Sequence, residues 1–121
     1  MKVAGFGYCA GACLASMEEL LNRLEQSFGA VDGLAAVSDK PELVRTLARK
    51  RGLPVVIIDN EALSGVDTLT VSPYSMRARQ TGSVAEAVAL LAADGGACLM
   101  GPRQISTDRK ATCALAQGGN L

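Results

Sequence analysis

The sequence predicts an α/β fold: a single three-layer α/β/α domain over residues 1–121, with a mixed, mostly parallel sheet and a C-terminal β-hairpin. Short apolar runs typical of strands alternate with segments of helical periodicity, which is the order of an α/β chain. Hydrophobic residues make up 49% of the chain and aromatic residues 3%, so we expect a core of Ala, Val, Leu and Ile. A chain of 121 residues has room for one such core.

The opening of the chain has the pattern of a strand, glycines and a helix. The strand covers about Lys2 to Phe6, and Ser16–Glu19 has the pattern of a capping box at the start of a helix that ends at Gly29. The glycines, which can adopt positive φ and admit a close approach to the backbone, are Gly5, Gly7 and Gly11. The unpaired N–H groups at the start of the helix predict an anion site here.

A dinucleotide site is disfavoured at this loop. The third glycine falls one residue later than the dinucleotide fingerprint requires, and Asp32 and Asp39 stand at spacings that fit a ribose-binding acid poorly. The simplest alternative is a glycine turn that only joins a strand to a helix. Both an anion site and a plain turn stay open.

The next segment predicts a second strand and helix, followed by a third strand. Leu34–Val37 is the strand, and Pro41 suits the first position of a helix that ends at Gly52. Basic residues near the end of this helix complement its dipole and are expected to be solvated. Pro54–Ile58 is a continuous apolar run, typical of a strand covered on both faces, and we expect it in the centre of the sheet.

The region before the last helix is the least regular. Asp59–Leu63 predicts one helical turn, and Val66–Val71 alternates as a strand does. Ser72–Gly82 has no clear pattern, and loops of this length in small domains are often functional. This loop carries two cations, Arg77 and Arg79.

The last third of the chain predicts a helix and a hairpin. Ser83–Glu86 has the pattern of a second capping box, and it opens a helix that glycines end near position 95. The residues of this helix expected to face inward are Val84, Ala87, Val88 and Leu91. After a short strand at Ala97–Met100, two strands flank the polar turn Ser106–Lys110, so at least one strand pair is antiparallel and the sheet is mixed.

The composition excludes several classes of protein. Lys plus Arg and Asp plus Glu both number 12, and no long basic run suggests a nucleic acid partner. No apolar run is long enough to cross a bilayer and no cleavable leader is found, so we expect a cytoplasmic protein without a membrane partner. The absence of histidine excludes Ser-His and Cys-His catalysis and most transition-metal sites. We expect neither a metal nor another cofactor.

The four cysteines divide into two pairs. Cys98 and Cys113 are expected to be small buried hydrophobic residues. Cys9 and Cys13 precede a predicted helix, where a thiol can have a lowered pKa and become reactive. A structural role for these two thiols is the alternative, and both interpretations stay open.

The residues that carry charge favour binding over catalysis. Predicted helix N-termini lie at Ser16, Pro41 and Ser83, and helices that follow parallel neighbouring strands start at the same edge of a sheet. The cations available for carboxylates or phosphates there are Lys40, Arg77, Arg79 and Arg103. No nucleophile with a base and no pair of carboxylates stands out, so catalytic residues are unknown. The expected ligand is an anionic small molecule.

Several candidates have an alternative without a ligand. Lys40 has the pattern of a surface lysine at a helix start, and the two loop arginines that of solvated charges. Glu42 and Glu86 suit a helix dipole or a cap, and Ser83 suits a structural hydrogen bond. These alternatives also stay open.

Four segments, in order, carry a resemblance to a known family. They are Ala4–Tyr8, Ala36–Leu43, Gly82–Ala87 and Pro102–Ala116. On these segments the chain resembles the CobE family of cobalamin biosynthesis proteins, the domain that also forms the C-terminal part of CbiG. It departs from the family pattern at Arg103, where the family often has Lys, and at Cys9 and Ala10, where basic residues are common.

The resemblance implies a role in cobalamin biosynthesis, in which the protein holds or hands on a corrin or precorrin intermediate. Such intermediates carry acetate and propionate carboxylates around a flat apolar macrocycle. Cations and helix ends suit the edge of the ring, and four apolar side chains suit its face, namely Phe6, Tyr8, Tyr74 and Met76.

The candidate ligand-binding residues follow from both arguments together. They are Gly5, Gly7, Tyr8, Cys9, Lys40, Glu42, Arg77, Arg79, Ser83, Glu86 and Arg103. One alternative is the opening of a precorrin lactone, the activity of CbiG, which is longer than this chain. Another is a module that contacts other enzymes of the cobalamin pathway. The oligomeric state, including a homo-oligomer, stays open.

Overall fold

Strands and helices alternate along the chain in the order expected of the α/β class. The structure, a computed structural model, describes residues 1–64, 66, 68–70, 83–93 and 96–118. Its elements are β1 (Lys2–Tyr8), α1 (Leu14–Phe28), β2 (Gly33–Val37), α2 (Glu42–Arg51), β3 (Val55–Ile58), a 3₁₀ turn (Asn60–Leu63), α3 (Val84–Ala93), β4 (Cys98–Leu99), β5 (Gln104–Ile105) and β6 (Ala111–Gln117).

The strands form one mixed sheet, as predicted. The order is β3-β2-β1-β6-β4 in a six-stranded sheet, with β5 also paired to β6. β1, β2 and β3 are parallel, whereas β6 is antiparallel to β1, β4 and β5. Among the described strands, β6 therefore runs against the other five. The predicted C-terminal hairpin is the β5–β6 pair.

The two faces of the sheet are covered by different helices, which gives the three predicted layers. Ala4 and Phe6 of β1 point to α1 and α2 and lie in one buried cluster with Leu20 and Leu47. Val3 points the other way, into a second cluster with residues of α3 such as Val88. This alternation along β1 is the two-residue period of a strand buried on both faces.

The backbone of β1 touches α3 directly at Gly5. A Cβ added at Gly5 would lie 2.6 Å from the Ala89 nitrogen and 2.8 Å from Val88 Cγ2, and closer still to the Ala85 carbonyl oxygen. The surface that approaches this glycine is therefore a helix of the chain itself. The expectation of positive φ is confirmed at Gly11, with φ of 93°, but is wrong for Gly5 and Gly7.

The turn between β5 and β6, together with the end of β5, is hydrogen-bonded to α1. The Ser16 hydroxyl donates to Asp108 Oδ2 at 2.5 Å, and the Thr107 hydroxyl donates to Glu19 Oε2 at 2.6 Å. Arg23 donates to the Ile105 carbonyl oxygen at 3.0 Å. The predicted capping box at Ser16–Glu19 is therefore wrong, because both side chains bind the turn and α1 begins at Leu14.

Two strand predictions are also wrong. β3 lies at one end of the described sheet rather than in its centre, and its apolar run reflects contacts with both α2 and α3. The predicted strand Val66–Val71 is not found, because Val66 and residues 68–70 are described and none of them is in a strand. Val71 lies outside the described residues. The helical turn predicted at Asp59–Leu63 is confirmed by the 3₁₀ turn.

Smaller differences from the predictions are found at the end of β1, at the start of α2 and within α3. β1 continues to Tyr8, two residues beyond the predicted end, because β6 pairs with it along its whole length. Pro41 immediately precedes α2 rather than occupying its first position. In α3, Ala87 and Val88 are buried as predicted, but Leu91 is 38% exposed because the contact at Gly5 turns it away from the sheet.

None of the helices in the described ranges is long and apolar enough to cross a membrane.

Replacement of Gly5 by alanine tests the contact between β1 and α3. The added methyl group meets helix backbone, which cannot move aside as a flexible side chain can, so we expect Gly5→Ala to lower the free energy of unfolding by about 1–3 kcal/mol or more. Gly101→Ala is the matched control, because a Cβ there meets nothing within 4 Å. We expect it to change stability by less than about 0.5 kcal/mol in urea unfolding. Equal stabilities of the two variants would contradict the contact.

Acid titration tests the anchoring of the β5–β6 turn. The Ser106 and Ser16 hydroxyls and the Lys110 N–H lower the pKa of Asp108 from 3.8 to about 2. A carboxylate with a lowered pKa stabilises the fold above its unfolded pKa and loses this effect as the pH falls from about 4 to 2. We expect Asp108→Asn to be less stable than the wild type at pH 7, with the difference shrinking over that range. Ser106→Ala should lower the stability less than Asp108→Asn does, with the same dependence on pH. If the stability difference between the wild type and Asp108→Asn did not change with pH, Asp108 would not have the lowered pKa assigned to it.

Candidate functional site

Three helix N-termini meet at one edge of the sheet. We call this edge the rim and define it as residues 8–13, 38–42 and 83–84. β1 and β2 are parallel neighbours, so α1 and α2, which follow them, both start at this edge. α3 starts there too, because a Cβ added at Gly7 would lie 3.2 Å from the Cβ of Val84. The positive ends of three helix dipoles therefore gather at the rim.

Tyr8 and Lys40 join the ends of β1 and β2 at the rim. The Tyr8 hydroxyl donates to the Lys40 carbonyl oxygen at 2.8 Å and accepts from the Leu43 N–H at 3.4 Å. The Lys40 ammonium donates back to the Tyr8 carbonyl oxygen at 3.2 Å. Burial raises the pKa of Tyr8, and the nearby Glu42 carboxylate acts in the same direction. The Tyr8 phenol thus occupies the N-terminal end of α2, with Lys40 and Glu42 beside it.

The glycine loop between β1 and α1 is held by the end of the hairpin turn. The Cys9 N–H donates to the Lys110 carbonyl oxygen at 3.0 Å, and the Ala12 N–H donates to the Cys9 carbonyl oxygen at 3.1 Å. A Cβ added at Gly11 would lie 3.3 Å from Lys110 Nζ. The sequence did not single out Lys110. The antiparallel pairing of Tyr8 with Ala111 is the signal that could have found it, because this register puts Lys110 beside the loop.

Cys13, directly before α1, is an exposed thiol beside Ser16. Its Sγ lies 3.4 Å from Ser16 Oγ. The Ser16 hydroxyl, followed by the N–H groups of Ser16 and Ala15, lowers the pKa of Cys13. The hydroxyl has a single proton, however, and Asp108 accepts it at 2.5 Å. We therefore attribute the lowered pKa of Cys13 to the N–H groups at the start of α1.

The other cysteines differ from one another. Cys9 is exposed in the glycine loop. Cys113 is buried as predicted, and burial raises its pKa. The prediction of a buried Cys98 is wrong, because it lies in the short strand β4 at an exposed end of the sheet. Within the described ranges, no group of three Cys, Asp or Glu side chains is placed to hold a metal ion.

Glu86 is a fully buried carboxylate in the first turn of α3. It accepts from the Thr70 N–H at 2.9 Å and from the Arg103 N–H at 2.7 Å. The predicted capping box is half confirmed, because the Ser83 hydroxyl accepts from the Glu86 N–H at 3.3 Å. The Glu86 side chain does not bind back to the Ser83 N–H as a capping box requires. It links α3 to Thr70 and to the segment between β4 and β5, which contains Arg103. The Arg103 guanidinium donates to the Thr70 hydroxyl.

The structure thus separates the candidate residues into two groups. Those on the side of α1 and α2 are Tyr8, Cys9, Lys40 and Glu42, and those on the side of α3 are Ser83, Glu86 and Arg103. Gly5 and Gly7 lie under α3. Arg77 and Arg79, with Tyr74 and Met76, lie outside the described residues. That any of these residues binds a ligand stays a prediction.

Solved structures of cobalamin proteins resemble this chain. A crystal structure at 1.7 Å resolution of CobE, a protein from the cobalamin (vitamin B12) biosynthetic pathway, is 30% identical with a TM-score of 0.83. The similarity covers 96% of this chain and 89% of CobE. The cobalamin biosynthesis protein ChiG from Agrobacterium tumefaciens str. C58 is 29% identical with a TM-score of 0.76, over 99% of this chain and 100% of that one.

A more distant structure supports the fold. It is that of a cobalamin biosynthesis protein G homolog from Sulfolobus solfataricus, 16% identical with a TM-score of 0.76. This chain matches 37% of that protein, over 99% of its own length. No curated protein matches the chain.

The family model described as cobalamin synthesis G C-terminus matches residues 3–116. This match covers nearly the whole chain and agrees with the resemblance found in its sequence. The matched range includes every described strand and helix, apart from the first residue of β1 and the last residue of β6. The chain therefore belongs to the cobalamin synthesis G C-terminus family and is a protein of cobalamin biosynthesis.

Proposed function

We propose that the protein binds a corrin or precorrin intermediate at the rim and holds it or hands it on. The observation that carries the proposal is the meeting of three helix N-termini at one edge of the sheet, with the Lys40 ammonium among them. Positive helix ends and ammonium groups attract carboxylates. Corrin intermediates carry several carboxylates around the ring, so the ligand class and the charge of the rim agree.

The apolar face of the ring has fewer partners than the sequence predicts. Phe6 is 1% exposed and lies in the core between the sheet and the α1–α2 layer, so it is not available to a ligand. Tyr8 is partly exposed, but its hydroxyl is bound to α2. We therefore assign the described part of the rim to the carboxylates of the ligand rather than to its flat face.

The two sides of the rim are not equally open to an anion. On the α3 side the Ser83 hydroxyl and the Glu86 carboxylate already accept N–H groups, and a buried carboxylate repels a second anion. On the α1 side the glycine loop is exposed and Lys40 is partly exposed. We therefore place the ligand carboxylates at the glycine loop, between α1 and α2.

Titration of a corrin tests this function. We expect the visible spectrum of hydrogenobyrinic acid to change on addition of the protein. Lys40→Met removes the ammonium at similar side-chain length and should weaken binding by about 1 kcal/mol, roughly fivefold. Lys50→Met is the matched control, because Lys50 pairs with Glu18 at the far end of α2. No spectral change at millimolar protein would overturn the proposal, and thermal unfolding of both variants shows whether they are folded.

Opening of a precorrin lactone is the second candidate. The observation that favours it is the exposed Cys13 thiol with its lowered pKa at the start of α1, since a thiolate is a nucleophile. The described residues near Cys13 offer Ser16 and Asp108, but the Asp108 carboxylate is held by hydrogen bonds that lower its pKa and make it a weak base. We expect this chain alone to release no acetaldehyde from a lactone-bearing precorrin. Release that is lost in Cys13→Ser would favour the enzyme.

A further inference from the structure

We infer that Lys110, which lies beside the rim, is a second anion-binding residue, and that Lys110 and Lys40 hold two carboxylates of one ligand from the two sides of β1. The inference rests on the proposed function and assigns a residue to the same site. It starts from the topology. β1 lies between β2 and β6, so the lysine that follows β2 and the lysine that precedes β6 flank the end of β1.

The backbone of Lys110 is fixed by hydrogen bonds in both directions. Its carbonyl oxygen accepts from the Cys9 N–H at 3.0 Å, and its own N–H donates to Asp108 Oδ1 at 3.0 Å. Asp108 is in turn bound by Ser16 of α1. The preceding Arg109 has a φ of 61°, a left-handed conformation that is unusual for a residue with a side chain. The turn thus directs Lys110 to the glycine loop.

The side chain of Lys110 lies across Gly11. A Cβ added at Gly11 would be 3.3 Å from Nζ, 3.6 Å from Cδ and 3.7 Å from Cε of Lys110. Because Gly11 has no side chain, the Lys110 side chain has room to extend over the loop. The ammonium ends over the backbone that joins β1 to α1. Lys40 reaches the same loop from the other side, at the Tyr8 carbonyl oxygen.

Among the described residues, the Lys110 ammonium is in no ion pair. The ion pairs found among the described residues are Arg23–Glu19, Lys50–Glu18 and Arg51–Glu25, and none includes Lys110. Asp108 is the acidic group that faces it, and the two Asp108 oxygens accept from Ser16, Ser106 and the Lys110 N–H. Lys110 is exposed and forms no ion pair within the described ranges, so its ammonium can bind the carboxylate of a ligand.

The two lysines together predict a preference for ligands with several carboxylates. One carboxylate can contact one ammonium and the N-terminal end of α1, and we expect a second carboxylate of the same ligand to engage the other lysine. Esterification of the carboxylates removes the charge and leaves the ring unchanged. The esterified corrin is therefore the natural comparison for a test of Lys110.

The test is a titration of hydrogenobyrinic acid and of its fully esterified form with the wild type, Lys110→Met, Lys110→Arg and Lys50→Met. We expect Lys110→Met to bind the acid roughly three- to tenfold more weakly and to show a smaller dependence of binding on salt. Lys110→Arg, which keeps the charge, should bind within about twofold of the wild type. Lys50→Met should bind as the wild type does. The ester should bind the wild type and Lys110→Met equally.

The outcomes separate this inference from the proposed function. If the wild type causes no spectral change in the acid, both are overturned. If the wild type binds and Lys40→Met binds more weakly, but Lys110→Met binds as the wild type does, the role of Lys110 alone is overturned. An equal loss of acid and ester binding in Lys110→Met would mean that the lysine only maintains the turn, which also overturns its role. Thermal unfolding and Lys110→Arg guard against a variant that has lost its fold.

Discussion

The structure depends on the direct packing of α3 against the backbone of β1. At Gly5 the helix backbone comes so close that no Cβ fits between them, and Gly7 repeats the approach at the start of the helix. Because protein interiors are closely packed, contact at these two glycines fixes the distance of α3 from the sheet and the face that α3 turns toward it. The start of α3 is thereby placed at the rim beside those of α1 and α2. A larger residue at Gly5 would separate the sheet from the layer that carries Ser83 and Glu86.

Glu86 is the second constraint, and it acts where two irregular segments meet. A carboxylate inside a protein is costly unless hydrogen bonds compensate the loss of water, and here two backbone N–H groups do so. The donors come from Thr70 and Arg103, which belong to segments outside the helices. The interruption between β4 and β5 leaves the Arg103 N–H free of the strand ladder, so the carboxylate replaces a sheet bond. The Glu86 carboxylate therefore holds the backbone at Thr70 and Arg103 in place. The Arg103 side chain donates to the Thr70 hydroxyl instead of pairing with Glu86.

Local patterns predicted the elements well and long-range partners poorly. The glycine-bounded helices, the mixed sheet and the hairpin follow from periodicity and turn residues, which depend on neighbours in sequence. Ser16 and Glu19 match a capping box, yet their partners are Asp108 and Thr107, about ninety residues away in the chain. Which partner a side chain finds depends on strand register, and that is not visible in a single segment. Lys110 was missed for the same reason, since only the pairing of β1 with β6 brings it to the rim.

The contacts at the rim narrow the place where an anion can bind. At α2 the Tyr8 hydroxyl already accepts the Leu43 N–H, and at α3 the Ser83 hydroxyl accepts the Glu86 N–H. These helix ends therefore attract an anion through their dipoles but offer fewer free donors for direct contact. At the start of α1 the Ser16 and Ala15 N–H groups face the Cys13 thiol, but the glycine loop before the helix is exposed, and the Lys110 carbonyl oxygen holds it at the Cys9 N–H. Lys40, which follows β2, and Lys110, which precedes β6, both reach the chain here, so charge and open backbone coincide at the end of β1 and nowhere else on the described rim.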